Sequence, residues 1–403
     1  MNSMRAPGLP LLLLLLLSAA CVLPRQQPGT RGPRHGSDDP RLHEVPLPAH
    51  AGWDAFLLFD NGSTGIWTVE SYPVFPQYGS PEVVGADDLG RLWVLVSYSG
   101  KWTPFQAVDD GKWLGGLAHG DVDPRIEGAE LYAGTQRGNV YQVVPYPHGA
   151  LDSRLVAHLS GKEIHTLVAG DFDPRNPGTE LLIFTNPGAL YEAVPTGADG
   201  TFETKLLETF PGRVRDAVAL PAEPGRLPAV ATVSRAGKVQ LLSFTEKGPV
   251  WSLVHAEAMG MGRIALRPPE GGRPLVLYST LDDGRILRHE RRPSGVWHTK
   301  TIFFGPQGAR GVAAGPFDSD TDRETVAIFG YSGKVELLTR TEKGWKAETL
   351  FRDRDQGHWL AAAELDGRNG TREILLSGYG GRIVMLARPP GYGRPGIPAA
   401  AGH

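Results

Sequence analysis

Glu324-Thr325-Val326-Ala327-Ile328-Phe329-Gly330-Tyr331-Ser332-Gly333-Lys334-Val335-Glu336 is the stretch on which the fold turns. An acidic residue opens an apolar, β-branched run, a short turn ends in Gly333, and a second alternating run follows. That is the pattern of a β-hairpin, with glycine where the turn needs a positive φ. Six more copies exist. They open on Glu82, Glu130, Glu180, Pro228, Pro274 and Glu373, and their turns end in Gly90, Gly138, Gly188, Gly237, Gly284 and Gly381. The seven glycines are 48, 50, 49, 47, 49 and 48 residues apart, so the chain is built from an internal repeat.

Each period has room for two further strands. Small apolar runs such as Leu167-Val168-Ala169-Gly170, Gly311-Val312-Ala313-Ala314 and Leu360-Ala361-Ala362-Ala363 precede the hairpins and suit an innermost strand crowded around an axis. Segments led by Trp102, Phe202, Trp251, Trp297 and Trp345 follow the hairpins and are expected to form an outer strand packing on the next blade. Four strands per period is the unit of a propeller blade. The expected fold is therefore all-β: a seven-bladed β-propeller over 50–388, four antiparallel strands per blade. The last repeat stops after three strands, so the N-terminal run Ala55–Phe59 is expected to close the ring and remove its exposed edges. A parallel solenoid is the competing architecture, but its periods are about half as long.

Composition agrees with many short strands joined by tight turns: 52 Gly and 34 Pro in 403 residues. A net charge of -3 gives no basic footprint for nucleic acid. The single cysteine, Cys21, leaves the folded region without a disulfide.

Residues 1–21 have the three parts of a signal peptide: Arg5, the apolar run Leu9–Leu17, and small residues before a cut. Leu17-Ser18-Ala19-Ala20-Cys21 resembles a bacterial lipobox, although that pattern prefers leucine where Ser18 stands. The resemblance implies lipidation of Cys21 and a membrane anchor on the cell envelope. Val22 after it, by the enteric sorting preference, implies the outer membrane. An ordinary signal-peptidase cut after Ala20 fits the same residues. The Pro/Arg/Gly-rich segment 22–49 is expected to be a disordered tether, and 389–403 a flexible tail.

Gly120-Asp121-Val122-Asp123-Pro124, Gly170-Asp171-Phe172-Asp173-Pro174 and Gly315-Pro316-Phe317-Asp318-Ser319-Asp320 resemble the loops of FG-GAP or VCBS-type propeller repeats. The resemblance covers nearly the whole folded region and implies export, with Ca²⁺ as a cofactor in the Asp-rich loops. Arg125 and Arg175 stand where two of those loops would have a third acid. Only Asp318, Asp320 and Asp322 keep three alternating carboxylates as a metal site; aspartates capping their own turns are the alternative.

Aligning the repeats by their glycines puts His165, Arg215, Arg310 and His358 at one equivalent position before the innermost strand, with His119 offset and Arg263 nearby. Converging at the channel mouth, they would favour an anion, with Glu163 orienting or countering His165. The same residues also fit an ordinary polar channel lining. No nucleophile elbow, zincin pair or Walker loop occurs. The expected function is that of a non-catalytic, monomeric cell-envelope lipoprotein whose propeller face binds a protein or glycan. The alternatives are a lyase or hydrolase acting on an acidic sugar at the channel mouth, and a Ca²⁺-dependent adhesion module.

Overall fold

The computed structural model describes residues 45–389 except 99–100, 197–199, 224, 226, 270–271, 319, 321–322 and 366–369. The leader, Cys21, residues 22–44 of the tether and residues 390–403 of the tail lie outside the described residues. Seven antiparallel sheets follow one another around a ring. In blade 3 the strands run outward from the axis as Glu163–Gly170, Glu180–Asn186, Ala189–Pro195 and Phe202–Thr209. Blades 1, 2, 4, 5 and 6 repeat this order, beginning at Ile66, Leu114, Val214, Met261 and Ala309. Blade 7 takes Gly357–Ala363, Glu373–Gly378 and Arg382–Ala387 from the C-terminal end and Asp54–Asp60 from the N-terminal end.

The expected tether ends earlier than Ala49. Val45–Leu47 pairs with Ala55–Leu57 as a fifth strand on blade 7. Leu47 packs on the blade 6–7 core, and the His50 N–H donates to the Leu350 carbonyl at 2.8 Å, which ties this segment down.

Seven apolar clusters hold the ring, one in each gap between neighbouring blades. The cluster joining blade 7 to blade 1 brings Leu58, Leu375 and Ile383 against Ile66, Val83 and Leu95. No disulfide contributes, so closure rests on this packing and on the ladder between the chain's two ends. The leading aromatics of the outer strands pack backward, not on the next blade as expected. Trp102 of blade 1 joins the blade 7 cluster, and Phe202 of blade 3 joins that of blade 2. Side chains alternate across a strand, and this register puts the first outer residue on the face turned to the preceding blade.

The turn glycines do two things. Six of them, Gly188 excepted, have φ between 69° and 94°. All seven also offer a carbonyl to the end of the outer strand, as in Leu159 N–H to Gly138 O at 2.7 Å and Phe210 N–H to Gly188 O at 3.1 Å. That close approach is why Gly188 is required without a positive φ: a Cβ there would lie 2.2 Å from the Gly212 carbonyl oxygen.

Candidate functional site at the channel mouth

The innermost strand of every blade slips register near its start. The residues passed over are Trp67, Gly115, His165, Arg215, Arg310 and His358, and in blade 5 the pair Gly262-Arg263. A β-bulge turns the extra residue out of the ladder and re-aims its side chain. All of these positions line one cavity of about 380 Å³ at one end of the channel. The expected convergence of His165, Arg215, Arg310 and His358 is therefore observed, and Arg263 joins them.

His119 does not belong there. The bulge of its blade falls at Gly115, and His119 lies further along the strand, paired with Leu131 and stacked on Tyr72 at 5.1 Å. Glu163 does line the cavity, but its hydrogen bonds come from Gln136 Nε2 (3.2 Å) and Asn186 Nδ2 (2.7 Å), not from His165.

A second ring sits above the first, made by the residue two before each turn glycine: Asp88, Gln136, Asn186, Arg235, Asp282, Tyr331 and Tyr379. Arg235, Tyr331 and Tyr379 line the cavity. Counting back two from each glycine would have found them. Trp113 and Arg213 lie two residues before the bulge, the position Glu163 holds in blade 3; the Trp113 ring covers Gly115, where a Cβ would meet it at 2.0 Å.

The arginines differ in their compensation. Arg215 and Arg310 share Asp282, with NH1 to Oδ1 distances of 2.8 and 2.7 Å. Arg310 Nε also donates to the Tyr331 hydroxyl at 3.2 Å. Arg213, Arg235 and Arg263 have no carboxylate at ion-pair distance among the described residues. Arg263 donates to the Arg215 carbonyl at 2.8 Å, and its guanidinium lies 4.1 Å from the Trp359 ring centre. Burial, only partly offset by Asp216 and reinforced by the neighbouring arginines, lowers its pKa to about 10.

Both histidines are held neutral. Burial first, then Arg213, Arg263 and Arg215, push His165 down to about 3. Its Nε2 accepts from Arg213 at 3.1 Å. His358 is pushed well below the usual histidine range by burial and by Arg263, and its Nδ1–H donates to the Trp67 carbonyl at 2.8 Å. Burial pushes the Tyr331 phenol up, but the Tyr379 hydroxyl and Arg310 outweigh it and leave it below the ordinary value. Three buried N–H donors of lining residues, Trp67 Nε1, Arg213 Nε and Arg263 Nε, have no acceptor among the described residues. The site is thus rich in cations and donors and poor in acceptors.

The polarity reverses behind Arg263. A second cavity of about 360 Å³ shares Arg263 with the first and contains Glu70 and Asp216. Burial raises these carboxyls to about 8 and about 6 respectively.

The Asp-rich loops are occupied by their own arginines. Arg125 grips Asp123 through Nε and NH2, both at 2.7 Å, and Arg175 grips Asp173 in the same way. Asp318 and Asp320 pair with Arg323 at 3.1 and 3.5 Å; Asp322 lies outside the described residues. No group of three or more potential metal ligands is assembled among the described residues.

No family model and no curated protein matches the sequence. Solved structures do match. The β-propeller domain of Cps50 (Swd1) from Myceliophteria thermophila has a TM-score of 0.55 at 11% identity, covering 84% of this chain and 99% of that one. Saccharomyces cerevisiae Sqt1 has 0.55 at 13%, covering 87% and 100%. The WD40 propeller domain of Doa1 has 0.53 at 11%, covering 86% and 97%. The likeness is one of fold. The Cps50 and Doa1 domains are propellers, so the architecture stands on those neighbours as well as on the seven sheets.

Proposed function

We propose that this protein is a non-catalytic binding propeller of the cell envelope that captures an anionic ligand in the channel mouth. The observation carrying this is the set of five arginines around one cavity, three of which, Arg213, Arg235 and Arg263, have no carboxylate at ion-pair distance among the described residues. A guanidinium without a carboxylate partner offers charge-assisted hydrogen bonds to a ligand oxyanion. Both histidines sit neutral in structural contacts, which favours binding over acid–base chemistry. Export and anchoring rest on the leader and Cys21, and the Gly-Asp-x-Asp-Pro loops support grouping the repeats with FG-GAP/VCBS-type propellers.

Thermal-shift and calorimetric titration with sulfate, phosphate and a sugar carboxylate, against neutral glucose, test the site. Anions should stabilise the protein and glucose should not, with the effect lost in an Arg213→Met/Arg235→Met double variant. Equal anion responses in the two proteins would refute it. Metabolic labelling with palmitate, lost in Cys21→Ser, tests the anchor; no label in the parent protein would refute that part.

A further inference from the structure

The two walls of the mouth differ in chemistry. Arg213, Arg215, Arg263 and Arg310 come from blades 4, 5 and 6, whereas the aromatic rings come from blades 1, 2 and 7 with Tyr331 at the junction. Trp67 and Trp113 lie 6.1 Å apart with planes 30° apart, and Tyr379 meets Trp67 edge-on at 5.7 Å. This forms one curved apolar face and no parallel slot. A cavity of about 380 Å³ is of small-molecule size, at the lower end of the usual range of about 300–1,000 Å³. An inorganic anion would use the arginines and leave the aromatic face without a partner. A planar base would want rings on both sides. A saccharide ring bearing an acid group uses both walls, its C–H face on Trp67 and Trp113 and its carboxylate on the guanidinium groups.

The floor sets how such a ligand enters. Past Arg263 the ring of arginines ends, and an anionic chain would meet Asp216 and a Glu70 that burial keeps protonated at neutral pH, with Arg372 the further cation in that lining. The acid group of a ligand is therefore held best at the arginines of the mouth, above Asp216. Resting on the anion-site reading above, we infer that the mouth recognises the terminal acidic residue of a saccharide, of the hexuronate class, inserted end-on.

Calorimetry at constant ionic strength tests this with D-galacturonate, D-glucuronate, glucose, acetate, sulfate and uridine monophosphate. One of the hexuronates should bind at least 10-fold tighter than acetate or sulfate. Trp113→Leu, whose half-buried ring tolerates replacement, should cut hexuronate affinity at least 5-fold and leave sulfate unchanged; Arg213→Met should weaken both. Acetate or sulfate binding as tightly as the better uronate overturns the saccharide inference while the anion site stands. Tighter uridine monophosphate overturns it in favour of a base. No binding of any anion overturns both readings. Polygalacturonate and its short oligomer, matched by uronate mass, separate the entry modes. End recognition makes affinity follow the number of chain ends, and equal affinity refutes it.

Discussion

Asp282 holds Arg215 and Arg310 together, so replacing it by Asn should move stability and affinity in opposite directions. The carboxylate accepts from Arg215 at 2.8 and 3.0 Å and from Arg310 at 2.7 Å. A hydrogen bond to a charged group contributes roughly 1.5–3 kcal/mol. Asn keeps one oxygen acceptor, and the carboxylate is about a quarter exposed, its side chain at 27%. The expected loss of stability is therefore about 1–3 kcal/mol, a few degrees in Tm for a domain of this size. For a bound anion the same change removes a repelling charge. At a separation of about 7 Å and an effective dielectric constant of about 20, that repulsion is roughly 2 kcal/mol before salt screening. Affinity for the best-binding anion should rise about 10-fold at low salt, with a smaller gain at 0.15 M ionic strength. Calorimetric titration of Asp282→Asn beside the parent, with a melting curve of each, reads both quantities. A folded variant whose anion affinity is unchanged or lower would show that Asp282 does not compete with the ligand, and the mouth would lose its claim as the anion site.

Gly138→Ala should destabilise by about 2 kcal/mol or more, because φ is 81° and the new Cβ would fall 2.1 Å from the Leu159 carbonyl oxygen; urea unfolding measures it, and a loss under 0.5 kcal/mol would contradict the packing described. Removing residues 45–60 takes away the strand that completes blade 7, so the truncated chain should fail to unfold cooperatively in calorimetry; a single sharp transition near the parent Tm would show that the ring closes without it. Glu180 accepts the Phe172 and Asp173 N–H groups, both at 2.9 Å, and burial raises its carboxyl to about 8. The folded state then holds a proton that the unfolded chain releases near pH 4.5, so Glu180's contribution is present below that pH and is lost as pH rises to about 8. Glu180→Gln should flatten the fall in stability between pH 5 and 8, and an unchanged pH profile would refute the assignment.

What was readable in the sequence was whatever local backbone geometry enforces. A hairpin turn needs its glycine wherever the hairpin lies, so the spacing of Gly90 through Gly381 gave the number of blades, and the missing fourth strand pointed to Ala55–Phe59. The equivalence of His165, Arg215, Arg310 and His358 was readable for the same reason. His119 was misplaced because it lies 19 residues before Gly138, whereas the spacing of 23 that His165 keeps from Gly188 falls on Gly115 and, in blade 1, on Trp67. Trp113 and Arg213 hold the same repeat position as Glu163, two before the bulge, and were missed because that position was read in blade 3 alone. Arg125 and Arg175 gripping their own aspartates depended on side-chain reach, which spacing does not encode.

The repeat unit, its count and the need for a closing strand were therefore written in the order of residues, because each blade cannot bury its own faces and every turn obeys the same steric rule. Which side chains share a wall was decided only by the closed ring. Seven bulges separated by about fifty residues meet around one axis, and the arginines of blades 4–6 come to face the tryptophans of blades 1 and 2. That opposition of charge and aromatic surface is a property of the circle, not of any one repeat.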